Sequence, residues 1–317
     1  MTDSAPIHEA ASVERVAHTP FVYRLEQFGL IVVWLLLIAV FGYLRPDTFL
    51  TWANLSTILG SQAVLVVVTL GLIIPLTAND FDLSIAFIMT MSSMLVAVLN
   101  VNYEIGIGWA VIAALALGIA VGLINGLLIT VFRIHSLIVT LGTGTFLHGA
   151  TLWLSDSMTI SGISPSLMNA VMVDRLFGVP LEFYYAIALA AVVWYLLEYT
   201  AVNRRILFVG RGREVARLSD INTDRIRVAC LAASGFFGAL AGVLYAGTQG
   251  AADPVSGVSY QLPALAAAFL GSTCIAPGRF NPWGATVAVY FLSLGITCLV
   301  FLGFSSFIQG CSMAAPW

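Results

Sequence analysis

Arg204-Arg-Ile-Leu-Phe-Val-Gly-Arg-Gly-Arg-Glu-Val-Ala-Arg-Leu-Ser-Asp-Ile-Asn-Thr-Asp-Arg-Ile-Arg227 holds seven of the thirteen basic residues in this 317-residue chain, and all thirteen are arginine. Around this island the chain is 60% hydrophobic and only 9% charged, whereas a soluble domain is about 25% charged. Water does not solvate such a surface, so lipid must. A membrane protein keeps its Arg-rich loops on the cytoplasmic side. The island therefore sets the orientation of the chain on either side of it.

Working outward, apolar runs lie at 28–44, 55–76, 83–99, 107–131, 137–154, 181–200, 226–247, 261–275 and 284–303. A spanning helix needs about 20 such residues. The expected fold is all-α, a polytopic membrane bundle of about 9–10 spans, some shortened or broken by Gly and Pro where the backbone is buried in protein or lines a cavity. Residues 1–27 carry Asp3, His8, Glu9, Glu14, Arg15, Arg24 and Glu26 without the apolar core of a cleavable signal, so they read as a cytoplasmic tail. The inside loops are then those near 77–82, 132–136, 201–226 and 276–283, with Arg133, the island and Arg279. The outside loops near 45–54, 100–106, 155–180 and 248–260 carry Arg45 and Arg175. Parity and the Arg bias agree. Residues 28–309 form the membrane domain, with a cytoplasmic loop at 201–226. Another apolar run begins at Leu302 and stops after Gln309, leaving 310–317 as a short, shortened-looking terminus.

Several classes of chemistry are disfavoured. The net charge of −3 and the absence of a basic stripe argue against nucleic acid. Cys230, Cys274, Cys298 and Cys311 sit in or beside apolar runs without metal-ligand spacing. His135 and His148 lack a partner ligand in the pattern, so no metal is assigned. Neither a phosphate-cradling Gly-rich loop nor a nucleophile elbow occurs. The chain is expected to bind no cofactor, hold no catalytic residues and leave ATP hydrolysis to another subunit.

Small and polar residues inside the runs are informative. Gly118, Gly122 and Gly126 recur every four residues, as do Gly238 and Gly242, which suits close backbone approach between helices in lipid. Asn79, Asp80 and Asp82 lie between two runs in Pro75-Leu-Thr-Ala-Asn-Asp-Phe-Asp-Leu-Ser84. They read either as a loop with Asp82 or Ser84 capping the next helix, or as a broken helix lining the solute pathway. Pro75, lacking an N–H, favours a break. Asn125 is a further pathway candidate, though a buried Asn among glycines suits an interhelical hydrogen bond better.

Within the island, Arg213 to Ser219 is predicted to form two helical turns. Val215 and Leu218 share one face, and Glu214 with Arg217 another. Gly210 and Gly212 give a flexible entrance, Ser219-Asp220-Ile221-Asn222 a stop, and Asp224 a cap for the next span. A short amphipathic helix between two spans suits anionic headgroups or a groove on a soluble partner. The acidic residues Glu214, Asp220 and Asp224 favour the partner.

Here the sequence resembles the ribose-type (monosaccharide) ABC importer permeases, and is similar also to the branched-chain amino acid permease group. Gly210 followed by Glu214-Val-Ala-Arg-Leu-Ser-Asp-Ile-Asn222 resembles their coupling segment, and Asp80-Phe-Asp-Leu-Ser84 their Gly-Gly-Ile-Asp-Leu-Ser element. Gly122-Leu-Ile-Asn-Gly-Leu-Leu-Ile-Thr130, Ile138-Val-Thr-Leu-Gly142 and Ser234-Gly-Phe-Phe-Gly-Ala-Leu-Ala-Gly-Val-Leu244 resemble three further blocks in the same order. The resemblance implies a multi-pass protein of the bacterial plasma (inner) membrane with a cytoplasmic N-terminus. Its implied partners are a second permease subunit (a homodimer), ABC ATPase subunits, and a periplasmic or lipid-anchored solute-binding protein. It implies that Glu214, Ala216, Arg217, Leu218 and Ser219 transmit ATPase closure to the membrane gate. The chain departs from the pattern at Asn79 and Asp80, which replace two glycines, and at Ala276-Pro-Gly-Arg-Phe-Asn-Pro282. The expected function is import of a monosaccharide or related polyol. The rivals are a branched-chain amino acid-type permease and an ion-coupled secondary carrier.

Overall fold

In the computed structural model, residues 20–44 and 49–301 are described. Residues 1–19 of the expected tail at 1–27, Arg45 and the run beginning at Leu302, with Cys311, lie outside the described residues, while residues 20–27 of that tail belong to the first helix.

Each predicted apolar run is a helix. The chain enters through α1 (Pro20–Leu44), then α2 (Trp52–Ser61) and α3 (Ala63–Thr77), which together make one span offset at Gln62. Next come α4 (Ile85–Ala97), continued by a π turn over Val98–Asn102, α5 (Ile107–Val131) and α6 (Ser136–Leu154). A connection follows with the short α7 (Pro165–Met168) and small strands β1 (Ile160–Ser161), β2 (Arg175–Leu176) and β3 (Val179–Pro180). The hairpin of β2 and β3 turns on Phe177 and Gly178, both with positive φ (53° and 81°), the backbone a tight two-residue hairpin requires. After α8 (Leu181–Tyr199), the predicted loop 201–226 contains two helices, α9 (Ala201–Arg211) and α10 (Arg213–Leu218). The long α11 (Thr223–Gln249), β4 (Ala251–Ala252), α12 (Ser256–Gly271) and α13 (Pro282–Phe301) complete the order. β4 pairs antiparallel with β1. The run expected at 261–275 is helical over Ser256–Gly271, with Pro263 accommodated inside α12.

Among the described residues, six helices are long and apolar enough to cross a membrane, and the protein is a polytopic helical bundle. α3 is apolar on every side and buried along nearly its whole length, the pattern of a central helix without a solvent face. α11 packs most extensively against α5, α4 and α3. Its contact with α5 uses the predicted glycines. A Cβ at Gly122 would lie 2.3 Å from the Leu231 carbonyl oxygen, and one at Gly235 2.1 Å from that of Gly118. On its other side, Gly238 and Gly242 abut the carbonyls of Ile85 and Met89 in α4. The small residues thus let three backbones touch along one helix, and dispersion replaces the hydrophobic drive that lipid cannot supply.

Candidate functional site

The Asn79–Ser84 segment is a break between α3 and α4, and Asp82 caps the helix that follows, as the loop reading of its sequence expects. α3 ends because Asn79 takes the left-handed conformation (φ 59°). Its N–H donates to the Leu76 carbonyl and that of Asp80 to the Pro75 carbonyl, both at 3.0 Å. This double closure is the usual helix stop, with glycine or asparagine at its left-handed position. Asn79→Gly is expected to leave the thermal denaturation midpoint in detergent almost unchanged. Asn79→Val is expected to lower it, since a branched residue there costs about 1–2 kcal/mol.

Beyond Asn79 the chain runs extended beside α11. Asp80 meets Arg227, Asp82 meets Ser234, and Ile85 lies against Gly238. Gly238 is fifteen residues into α11, about 22 Å from its start, so α4 begins deep inside the bundle. An extended backbone at that depth must have its polar groups met by protein. The Phe81 N–H donates to Ser136 Oγ and the Leu83 N–H to Thr140 Oγ1, each at 3.1 Å. Thr140 Oγ1 also donates to the Phe81 carbonyl, and Gln261 Nε2 to the Leu83 carbonyl. Ser136 and Thr140 stand one turn apart on α6, which is why two hydroxyls reach alternate residues of the ribbon.

Asp82 opens α4. It accepts the Ser84 N–H (3.0 Å), Ser84 Oγ–H (2.6 Å) and, from α11, Ser234 Oγ–H (2.6 Å). Asn125 Nδ2 donates to Ser84 Oγ (2.9 Å), and Thr143 Oγ1 donates to Asn125 Oδ1 (2.7 Å). One hydrogen-bonded chain therefore ties α4, α5, α6 and α11. Of the four predicted pathway residues, Asp80, Asp82 and Asn125 are buried in these contacts and only Asn79 is exposed.

Asp80 is the ionic centre. Arg227 grips it with Nε on Oδ2 and Nη2 on Oδ1, both at 2.7 Å. Arg213, from the first turn of α10, reaches the same Oδ1 at 3.0 Å and the Asn79 carbonyl at 3.2 Å. The Asp80 side chain is 1% exposed, that of Arg227 9% and that of Arg213 42%. The buried pair is bidentate, the stronger arrangement for guanidinium and carboxylate. Arg213 is the half-exposed member that connects α10 to the helix break.

α10 covers the two predicted turns. Ala216 is buried, whereas Val215 is 57% and Leu218 89% exposed. Glu214 and Ser219 also face outward. Arg217 bonds Thr223 Oγ1 and Asp224 Oδ1, each at 3.0 Å, fixing α10 to the start of α11. Two local expectations are corrected. Asn222 caps α11 by accepting the Arg225 N–H, because Asp224 is turned toward Arg217. Gly210 is no flexible entrance: it lies within α9, and a Cβ there would come within 2.3 Å of the Thr77 carbonyl oxygen. A cavity of about 480 Å3, lined by Asn79, Phe81, His135 and residues 209–215, lies beside this junction. Among the described residues, no group of three or more His, Cys, Asp or Glu is placed to hold a metal.

Residues 54–314 match the family described as branched-chain amino acid transport system / permease component. The chain belongs to this family. The ribose import permease proteins RbsC of Haemophilus influenzae and of Escherichia coli (strain K12) are 29% and 30% identical to it over 290 residues, 90% of this chain and 89% of each relative. The D-allose transport system permease protein AlsC of E. coli (strain K12) is 29% identical over 262 residues, 82% of this chain and 80% of the relative. No solved structure is a significant match.

Sequence reasoning on this permease-component chain missed several parts of the site. Ser136, Thr140, Ser234 and Gln261 hold the ribbon, and only the Ser136–Thr140 spacing hinted at it. Glu182 was also missed. It is 2% exposed in the first turn of α8 and accepts Thr248 Oγ1–H from the far end of α11. An acidic residue opening an apolar run was the available signal.

Proposed function

We infer that the chain is the membrane-spanning subunit of an ABC importer for a monosaccharide or related polyol. In this reading it lies in a bacterial inner membrane with its N-terminus and the α9–α10 segment toward the cytoplasm. Separate ATPase subunits dock on α10 and use the ATP. A second permease subunit, an identical copy, completes the pathway, and a periplasmic or lipid-anchored binding protein delivers the solute. The observation that carries the reading is α10 itself. It offers Val215 and Leu218 outward between two spanning helices, while Arg213 ties it to the α3–α4 break. Similarity over most of the chain to permeases named for ribose and allose supports a sugar-like solute.

An amino acid is the weaker alternative. Its ammonium group would need a free carboxylate, and Asp80 and Asp82 are engaged in internal bonds. An ion-coupled carrier is disfavoured too. Asp82 and Glu182 attach to α11 at Ser234 and Thr248, about 21 Å apart along the helix, and α11 has no charged side chain between them.

The test is Leu218→Asp, at a position whose exposure leaves folding untouched. Co-purification of an ABC ATPase subunit from native membranes and solute uptake should both fall at least about tenfold, since a packed anchor at an interface centre is worth about 2 kcal/mol or more. Survival of both removes the coupling role. Orientation is checked with Leu218→Cys and Cys311→Ser, using impermeant maleimide on right-side-out and inverted vesicles. Cys230, Cys274 and Cys298 are buried, and burial pushes the Cys274 thiol up to about 11, so background labelling is low. Labelling from right-side-out vesicles would overturn the assignment.

A further inference from the structure

At the end of the bundle that carries α9, the last turn of α8 and the loop before α13 enclose a cavity of about 330 Å3. Its wall combines Trp194, Tyr199 and Trp283 with Glu198, Arg279 and Asn203. Trp194 sits edge-on to both other rings, with centroids 5.2 Å from Tyr199 and 6.3 Å from Trp283. Trp and Tyr at the ends of spanning helices mark headgroup depth. Glu198 and Arg279 have no ion-pair partner among the described residues. Asn203 is 6% exposed; its Nδ2 donates to the Leu197 carbonyl, and its Oδ1 has no hydrogen-bond partner. A buried acceptor without a donor is costly, and Asn203 is among the residues that line the cavity. The loop also holds Ile275 at φ 64°, a conformation that is strained for a β-branched residue.

Leu197 lines a second, adjoining cavity of about 340 Å3. That groove is apolar apart from Arg205. It runs inward from Val202 and Ile226 past Val193 and Ala233 to Phe237. Eleven residues of α11 separate Ile226 from Phe237, about 16 Å along the helix. A polar chamber at headgroup depth thus shares its Leu197 wall with an apolar groove pointing toward the bilayer centre.

We propose that these two cavities form one phospholipid site. Arg279 takes the phosphate. Glu198, the faces of the Trp194 cluster and Asn203 Oδ1 take a primary ammonium group, and an acyl chain lies in the groove. The chemistry selects a phosphoethanolamine headgroup. Phosphatidylglycerol lacks the ammonium, and phosphatidylcholine carries one with no N–H to donate to Asn203. Because Asn203 is in the first turn of α9, an occupied site braces the helix that leads into α10.

The experiment is native mass spectrometry of the full chain in detergent, titrated with phosphatidylethanolamine, phosphatidylglycerol or phosphatidylcholine of matched acyl chains. Phosphatidylethanolamine should be retained about tenfold more than either, the value of one charge-assisted hydrogen bond. Glu198→Gln, at an outward position, should erase most of that preference, whereas Arg279→Gln should lower retention of all three lipids alike. Arg175→Gln, in the β2–β3 hairpin, should leave both intact. Equal retention of the three lipids overturns the proposal, as does a preference unchanged in Glu198→Gln or a retention unchanged in Arg279→Gln. Competition by glycerophosphoethanolamine as effective as that of the whole lipid would make the ligand a soluble amine phosphate and overturn the lipid assignment. Absence of lipid, with a Leu196→Cys cross-link between two copies, would give the groove to a dimer partner instead.

Discussion

Asp80→Asn is expected to be among the most damaging single changes in the chain. It leaves Arg227, which is 9% exposed, with its charge unmatched. Breaking one side of a buried ion pair costs about 3–5 kcal/mol. In detergent this should lower the thermal denaturation midpoint by about 10 °C and reduce the yield of folded protein. Asp80→Asn with Arg227→Gln should recover a large part of the loss, because the orphaned charge is gone. Arg213→Gln alone should cost under about 1 kcal/mol, since its half-exposed charge is screened by water. A double variant no better than the sum of the two single ones would mean that Asp80 acts through something other than Arg227.

The second large effect is expected at the α5–α11 crossing. At Gly122 a Cβ would meet the Leu231 carbonyl oxygen at 2.3 Å and the Ala232 Cα at 2.8 Å, backbone atoms that cannot rotate away. Gly122→Ala forces the helices apart, at the roughly 1–3 kcal/mol typical of overpacking. Gly122→Leu should prevent the crossing from forming, seen as loss of the monodisperse peak in size-exclusion chromatography. Gly108→Ala is the contrast. Nothing lies within 4 Å of its Cβ position, so it should be neutral or slightly stabilising through helix propensity. Equal behaviour of the Gly108 and Gly122 variants would show that close approach is not what these glycines supply.

The spans were legible because hydropathy is a property of contiguous residues, and lipid leaves few alternatives to a helix. The α10 segment was legible for a related reason: Val215 and Leu218 repeat at helical spacing inside a charged stretch. α9 was not recognised, although Asn203, Ile206 and Val209 recur every three residues and are its buried face. The three arginines of 201–211 hid that periodicity behind a low average hydropathy. The site was only half legible. Asn79, Asp80, Asp82 and Asn125 stood out as polar residues in or beside apolar runs. Their partners did not, because Asp80 and Arg227 are 147 positions apart and no local pattern specifies which charges meet. The hydroxyls of Ser136, Thr140 and Ser234 are too common to signal anything until the extended backbone beside them is seen.

α11 runs unbroken for 27 residues, about 40 Å, while α3 and α4 are interrupted beside it. Near one end Arg227 holds Asp80; near the other Thr248 holds Glu182. Midway, Gly235 touches the backbone of Gly118. Were α11 to tilt about the glycine crossing as a stiff rod, Arg227 and Thr248 would be carried in opposite directions, coupling Asp80 at one end to Glu182 at the other.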